Sequence, residues 1–215
     1  MNCVLKSLSV SDGPEIYDML QEIPVYENGF ENSNNGRSFN EFKDWLVRSC
    51  SMALGGCPDD KGLSDNREWP ENQDLSENQD RSETRNLSDN RTLSDNRTLS
   101  DNRTLSDHRT LTKNIYWFIA DGMPVGFGVI SRVPSNLLRA VGGNIGYIIR
   151  PTQRGKGYGT LFLGLLVEEA RKLNFDRLLL IIQNSNAASL RIALRNGGKL
   201  EPADQDKSLV WIDCS

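Results

Sequence analysis

Hydrophobic and polar residues follow one another along this 215-residue chain in patterns that predict both helices and strands. Apolar residues three and four positions apart indicate amphipathic helices, whereas short continuous apolar runs indicate strands buried on both faces. The predicted strands are residues 4–8, 115–120, 125–131, 144–149, 178–182 and 209–212. Four helices are predicted: one includes residues 16–20, one includes 42–46, and the other two span 161–173 and 187–195. This order of elements predicts an α/β fold with a mixed sheet.

Several predicted elements carry signals at their ends. Ser-Asp at residues 11–12 can cap the first helix, and Ser-Phe-Asn-Glu at 38–41 is a capping-box pattern for the second. Asp-Gly at 121–122 predicts a tight hairpin turn between two strands. Gly-Gly at 197–198 fits the C-terminal end of the last helix.

A tandem repeat separates the two apolar parts of the chain. Residues 87–110 read Leu-Ser-Asp-Asn-Arg-Thr three times and then Leu-Ser-Asp-His-Arg-Thr. One leucine per six residues forms no continuous stripe on a helix and buries too little surface to offset the entropy of ordering. Residues 58–113 are therefore predicted to be a low-complexity, disordered insertion within one domain, whose N-terminal part is 1–57 and whose core is 114–215.

Composition narrows the functional classes. The net charge of -4 argues against a nucleic-acid partner, which usually meets a basic protein surface. The sequence contains neither a signal-peptide pattern nor an apolar run long enough for a bilayer, so a cytoplasmic protein without a membrane partner is expected. Its four cysteines form no Cys-x-x-Cys pair and have no histidine nearby, so no metal site is expected.

The segment with the clearest chemical meaning is a glycine-rich turn between a strand and a helix. Residues 154–159 read Arg-Gly-Lys-Gly-Tyr-Gly, between the strand at 144–149 and the helix at 161–173. Unpaired N–H groups at the start of a helix, approached closely through glycines, form a site for a phosphate or diphosphate. The spacing fits neither the Walker loop nor the dinucleotide-binding fingerprint.

The wider pattern resembles the acyl-CoA signature of the GNAT superfamily of N-acetyltransferases, which is Arg or Gln, two residues, Gly, one residue, and Gly or Ala. A second family motif is matched downstream, with Asn186, Ser189 and Gly197 on and after a short helix. The resemblance covers about residues 110–200 well and the first 50 residues only loosely. It is greatest for a subgroup of predicted acetyltransferases whose helical N-terminal section contains Asn-Gly-Phe, here residues 28–30.

This resemblance implies a mixed, mostly antiparallel sheet flanked by helices and splayed between its fourth strand, 144–150, and its fifth, 177–182. Acetyl-CoA would be the cosubstrate, with its pantetheine arm in the gap and its diphosphate on the loop amides. The residues implied in binding it are Ile148, Ile149, Arg154, Gly155, Lys156, Gly157, Tyr158, Gly159, Thr160, Asn186 and Ser189. Helix capping is an alternative role for Asn186 and Ser189.

The reaction implied by the family is direct attack of an amine on the thioester, with a small-molecule or peptide amine as the unidentified acceptor. Two family positions differ here: Ala193 stands where many members have a tyrosine acid, and Asn144 where many have a glutamate. The catalytic acid and base are thus unassigned, and Tyr147 is a weak candidate. The alternatives are a non-catalytic acyl-CoA-binding module and a degenerate GNAT protein.

Overall fold

The computed structural model describes residues 2–51, 53, 112–201 and 206–214. The strands are β1 (Cys3–Ser7), β2 (Tyr26–Glu27), β3 (Phe30–Glu31), β4 (Thr112–Ala120), β5 (Met123–Arg132), β6 (Ile145–Ile149), β7 (Arg177–Gln183), β8 (Lys199–Glu201) and β9 (Lys207–Asp213). The helices are α1 (Pro14–Glu22), α2 (Phe39–Ser51), α3 (Tyr158–Lys172) and α4 (Ala187–Arg195), and a 3-10 helix spans Pro151–Gln153.

The strands form two larger antiparallel sheets and one small hairpin. The first sheet has the order β1-β4-β5-β6, the second has the order β7-β9-β8, and β2 pairs with β3 alone. Strands β6 and β7 face each other across a gap, and Gly143 and Leu180 form an isolated bridge at its base. The predicted α/β fold, with a mostly antiparallel sheet that is flanked by helices and splayed at this point, is confirmed. All pairs among the described strands are antiparallel, whereas a mixed sheet was expected.

Two apolar clusters hold helices on opposite faces of the first sheet. Strand side chains alternate between faces, so Trp117 and Phe127 face one cluster while Phe118 and Ile149 face the other. The first cluster contains the buried faces of α1 and α2, and the second contains α3 together with β7 and β9. The fully buried side chains of α1 and α2 include Met19, Leu20, Phe42 and Leu46, and those of α3 include Phe162, Leu163 and Leu166.

The predicted capping box of α2 is present. The N–H of Ser38 donates to Glu41 Oε2 at 2.8 Å, and the N–H of Glu41 donates to Ser38 Oγ at 3.3 Å. The predicted Asp-Gly turn also forms, because Asp121 and Gly122 both have positive φ, at 48° and 82°. The end of α4 is closed as predicted, with the N–H of Gly198 donating to the Ala193 carbonyl at 3.0 Å.

The predicted cap of α1 is wrong. Gly13 is the N-cap residue, and its helix begins with a proline at N1. The carboxylate of Asp12 is instead buried, where it accepts hydrogen bonds from the Ser9 N–H at 2.9 Å and Trp117 Nε1 at 2.6 Å. The side chain thus links the β1–α1 loop to the centre of the sheet, a contact between residues far apart in sequence.

The strand pairs β4–β5 and β2–β3 differ from the sequence-based expectation. The strand β4 starts at Thr112, so residues 112–113 of the predicted insertion belong to the sheet, where they pair with Arg132 and Ser131. The rest of the predicted insertion lies outside the described residues. The hairpin of β2 and β3 was not predicted, although Asn28-Gly29 at its turn is a strong hairpin signal.

Candidate active site

A cavity of about 560 Å³ opens where β6 and β7 separate. Its two strand walls come from β6 and β7, and the turn between β6 and α3 closes one end. The helix α4 and the β2–β3 hairpin form the remaining walls. The side chain of Phe30 on this hairpin lies over Gly146, where an added Cβ would be 3.5 Å from the ring. The hairpin therefore packs directly against β6 beside the gap.

The turn that enters α3 presents a row of open amide groups. Gly155 and Gly157 have φ of 78° and 81°, which side chains rarely adopt, and Gly157 is the N-cap residue of α3. The N–H groups of residues 155–159 make no hydrogen bond to a described residue, whereas the N–H of Thr160 donates to the Gly157 carbonyl at 3.1 Å. Such a row of donors at a helix start attracts an anion.

Strand β6 offers only part of its backbone to the gap. The N–H of Arg150 donates to the Val125 carbonyl in β5 at 3.0 Å, and the N–H of Ser131 donates to the Asn144 carbonyl at 2.7 Å. Because antiparallel ladders alternate, Ile148 also turns its backbone groups toward β5, and Ile149 turns its own toward β7. The backbone groups of Ile148 therefore do not face the gap, although this residue lines the cavity and its contact with acetyl-CoA stays a prediction.

The two cations of the turn are both engaged by neighbours. The guanidinium of Arg154 donates to both carboxylate oxygens of Glu27, at 2.8 and 2.6 Å, and its Nε donates to the Ile149 carbonyl at 2.9 Å. The ammonium of Lys156 donates to Gln153 Oε1 at 2.7 Å, and Lys156 does not line the cavity. Arg154 thus connects the turn to the hairpin at β2.

A tyrosine hydroxyl reaches across the cavity from β6 to α4. The Tyr147 hydroxyl lies 3.3 Å from Ser189 Oγ, within hydrogen-bonding distance. Burial raises the pKa of Tyr147 to about 12, and the hydrogen bond with Ser189 opposes this shift without cancelling it. The phenol therefore keeps its proton at neutral pH, so it can donate a proton or a hydrogen bond but cannot act as a base there.

Asn186 has a clear structural role beside the cavity. It is the N-cap residue of α4, and its side-chain oxygen accepts a hydrogen bond from the Ser189 N–H at 3.0 Å. Both residues also line the cavity. The capping alternative thus holds for Asn186, while the hydroxyl of Ser189 is directed to Tyr147.

The two positions that depart from the family pattern are both structural here. Asn144 is buried, and its Oδ1 accepts a hydrogen bond from the Leu179 N–H of β7 at 2.9 Å. Its own N–H donates to the Leu179 carbonyl at 3.0 Å, so this residue joins the two sheets where the gap begins. Ala193 is completely buried, at 0% exposure, and packs in the core between α4 and the sheet.

A second ion pair fixes the start of the turn to α1. Glu22 accepts hydrogen bonds from Arg150 Nε at 2.6 Å and from the Thr152 N–H at 2.8 Å. Burial alone raises the pKa of Glu22, but the hydrogen bonds from Thr152 and Arg150 outweigh it and leave the pKa below its usual value. The N-terminal side of the turn is thereby held twice, by Glu22 before it and by Glu27 at Arg154.

All but one of the residues expected to bind the cosubstrate line this cavity, and Lys156 is the exception. The charged side chains of the cavity that were not anticipated are Glu27, Arg191 and Arg195. The sequence could have indicated that the two arginines lie together, because residues four apart on a helix share one face. It gave no such indication for Glu27, since the contact of Glu27 with Arg154 joins distant parts of the chain.

A family model described as "Acetyltransferase (GNAT) domain" matches residues 66–199, more than half of the chain. The match begins within the segment predicted to be an insertion, so that boundary stays a prediction. No curated protein matches the sequence significantly. None of the described helices is long and apolar enough to cross a membrane.

Solved structures with the same fold include three acetyltransferases, each 13% identical to this chain. An N-acetyltransferase from Staphylococcus aureus Mu50 has a TM-score of 0.53, and the alignment covers 100% of both chains. An acetyl transferase from Salmonella typhimurium that modifies the N-terminal serine of ribosomal protein L7/L12 has a TM-score of 0.55, and the alignment covers 99% of this chain and 95% of that protein. A spermidine N-acetyltransferase chimera from Vibrio cholerae and hSSAT also has a TM-score of 0.55, and the alignment covers 100% of this chain and 96% of the chimera.

Proposed function

The chain belongs to the acetyltransferase (GNAT) domain family, and on that premise we propose that it transfers an acetyl group from acetyl-CoA to a primary amine. The observation that carries the proposal is the row of open amides at residues 155–159, which leads into the gap between β6 and β7. A diphosphate fits the amides, and an extended thioester arm fits the gap beside them. Two structural relatives are described as acting on amines, which supports this acceptor class.

The arm of acetyl-CoA would lie along β6 as an added strand. Ile149 directs its N–H and carbonyl toward the gap, and Arg154 Nε already occupies the carbonyl. The free N–H of Ile149 can therefore donate to the thioester carbonyl oxygen, where negative charge develops during attack. The diphosphate would rest on the amides of Gly155 to Gly159, with Thr160 behind them in the first turn of α3.

The transfer itself needs no covalent enzyme intermediate. The free amine attacks the thioester carbon, the new C–N bond forms as the C–S bond breaks, and CoA leaves as a thiolate. Holding the two substrates together supplies much of the rate gain. The nitrogen loses its surplus proton to water, while Tyr147 donates its phenol proton to the departing sulfur and then regains a proton from water. The raised pKa of Tyr147, about 12, keeps this proton available at neutral pH.

A thiol-release assay tests the proposal. The protein is incubated with acetyl-CoA and a panel of amines: a diamine, a polyamine, an amino acid and a peptide with N-terminal serine. Amine-dependent release of CoA thiol is expected, above the background of acetyl-CoA without amine and of the protein's own cysteines. Acetyl-CoA binding by calorimetry is measured in parallel. Absence of both binding and turnover would contradict the proposal.

A second candidate function is non-catalytic acyl-CoA binding. It is favoured by Ala193 and Asn144, because the first has no proton to give and the second is committed to Leu179. This function predicts calorimetric binding of acetyl-CoA with no turnover of any amine. The two candidates are therefore separated by the same pair of measurements.

A further inference from the structure

Helix α4 carries two cations on the side that lines the cavity. Arg191 and Arg195 are four residues apart, so they share one face, together with Ala188 and Ile192. Both arginines are exposed, and neither makes a hydrogen bond or an ion pair with a described residue. Helix α4 contains no acidic residue that could compete for them.

These arginines lie next to the amide row. An added Cβ at Gly159 would be 2.7 Å from Ile192 Cδ1, so the middle of α4 packs against the start of α3. Asn196, directly after Arg195, donates from Nδ2 to the Thr160 carbonyl at 3.2 Å. The face of α4 that holds the arginines therefore lies beside the start of α3, where the amide row ends.

Arg191 and Arg195 are the cationic side chains of the described cavity lining that are not paired with an acidic residue. Among the described lining residues, the other arginine is Arg154, which forms a bidentate pair with Glu27. Glu27 is also the acidic residue of this lining, so its charge is already balanced. A ligand with more than one phosphate group would thus find donors on two sides, the amides on one and the α4 guanidiniums on the other.

We infer that Arg191 and Arg195 bind a phosphate group of acetyl-CoA separate from the diphosphate, namely the 3′-phosphate on its ribose. This inference rests on the proposed use of acetyl-CoA and assigns it a second anchoring point. The amides of residues 155–159 take the diphosphate, and the remaining phosphate of the ligand meets the guanidinium face of α4. The arginines therefore select CoA over 3′-dephospho-CoA, which is identical except for that group.

Affinities for acetyl-CoA and 3′-dephospho-acetyl-CoA are measured by calorimetry on the full chain. The wild type is expected to bind acetyl-CoA about tenfold more tightly than 3′-dephospho-acetyl-CoA, because one charge-assisted hydrogen bond contributes about that factor to affinity. In Arg191→Gln with Arg195→Gln this preference is expected to disappear, while affinity for the dephospho ligand stays within about twofold. Since both arginines are exposed, the wild-type preference should also shrink as salt is raised.

Arg48→Gln is the matched control, because it removes the same charge from an exposed position of α2 outside the cavity. It should keep the full preference. Equal affinities of the wild type for the two ligands, or an equal loss for both ligands in the double variant, would overturn the assignment. Failure of the wild type to bind either ligand would instead contradict the proposed function, so the two failures are distinguishable.

Discussion

At the scale of single residues, two positions where many family members have catalytic side chains have structural roles in this site. The side-chain oxygen and the backbone N–H of Asn144 both form hydrogen bonds with the backbone of Leu179, which close the base of the gap. Ala193 fills the core behind α4. Tyr147 is the cavity's ionisable group with a hydroxyl directed across the gap, toward Ser189. Proton donation in this site is therefore expected to depend on Tyr147.

Replacing Tyr147 with phenylalanine tests this role. The variant is expected to lower kcat by about a hundredfold, the usual contribution of a positioned acid, with little change in the KM for acetyl-CoA. Steady-state kinetics of thiol release provide the measurement. Tyr116→Phe is the control, since burial also raises the pKa of Tyr116 to about 12 but the residue lies outside the cavity. Equal kcat values for the wild type and Tyr147→Phe would rule Tyr147 out as the acid.

The raised pKa of Tyr147 also predicts a pH dependence of stability. Its pKa is about 12 in the folded chain against an ordinary 10.0, so between these values the folded state holds a proton that the unfolded state has lost. The free energy of unfolding is fully retained below pH 10 and falls as pH rises toward 12. Urea unfolding at several pH values should give a shallower fall in Tyr147→Phe. An identical slope in both proteins would contradict the shift.

At the scale of helices and strands, local chemistry was readable from the sequence and long-range contacts were not. The capping box at residues 38–41 and the turn at 121–122 formed as predicted, because their donors and acceptors are only a few residues apart. The cap of α1 failed because Trp117 recruits Asp12 from more than a hundred residues away. The choice of Ile149 over Ile148 for the gap depends on the register with β5, which apolar patterning does not reveal.

Asp12→Asn tests how far that long-range contact holds α1 to the sheet. The change places an amide N–H₂ opposite the Lys6 ammonium, which lies 2.6 Å from Asp12 Oδ1. Breaking a buried charged contact of this kind is expected to cost about 3 kcal/mol of unfolding free energy. Chemical denaturation provides the value, with Asp18→Asn on the exposed side of α1 as the control. A loss below about 1 kcal/mol, typical of surface pairs, would contradict this assignment.

At the scale of the whole molecule, the cavity between β6 and β7 is built from distant parts of the sequence. The N-terminal hairpin, the turn at residues 154–159 and helix α4 meet around the gap. The sequence was sufficient to find the turn and the two strands, because each carries a local motif. The hairpin contribution was not foreseen, since the pair of Glu27 with Arg154 spans 127 positions of the chain.

The repeats at residues 63–110 are predicted to be dispensable for this assembly. Loop-closure entropy changes slowly with loop length, so their removal should leave the melting temperature and acetyl-CoA affinity nearly unchanged. The shortened chain, joined through a short Gly-Ser linker, can be compared with the full chain by calorimetry. A second variant with the repeat residues in shuffled order controls for composition. A large loss of either quantity would mean that the repeats contribute to the folded structure.

The central claim is that the amides of residues 155–159 bind the diphosphate of acetyl-CoA, and amide NMR during a titration tests it most directly. ADP, which has the diphosphate without the arm, should move the amide resonances of Gly155 to Gly159 but leave β7 unchanged. Acetyl-CoA should move the same resonances and, in addition, those of Ile149 and the β7 residues facing the gap. Saturable shifts that avoid residues 155–159, with either ligand, would contradict the account.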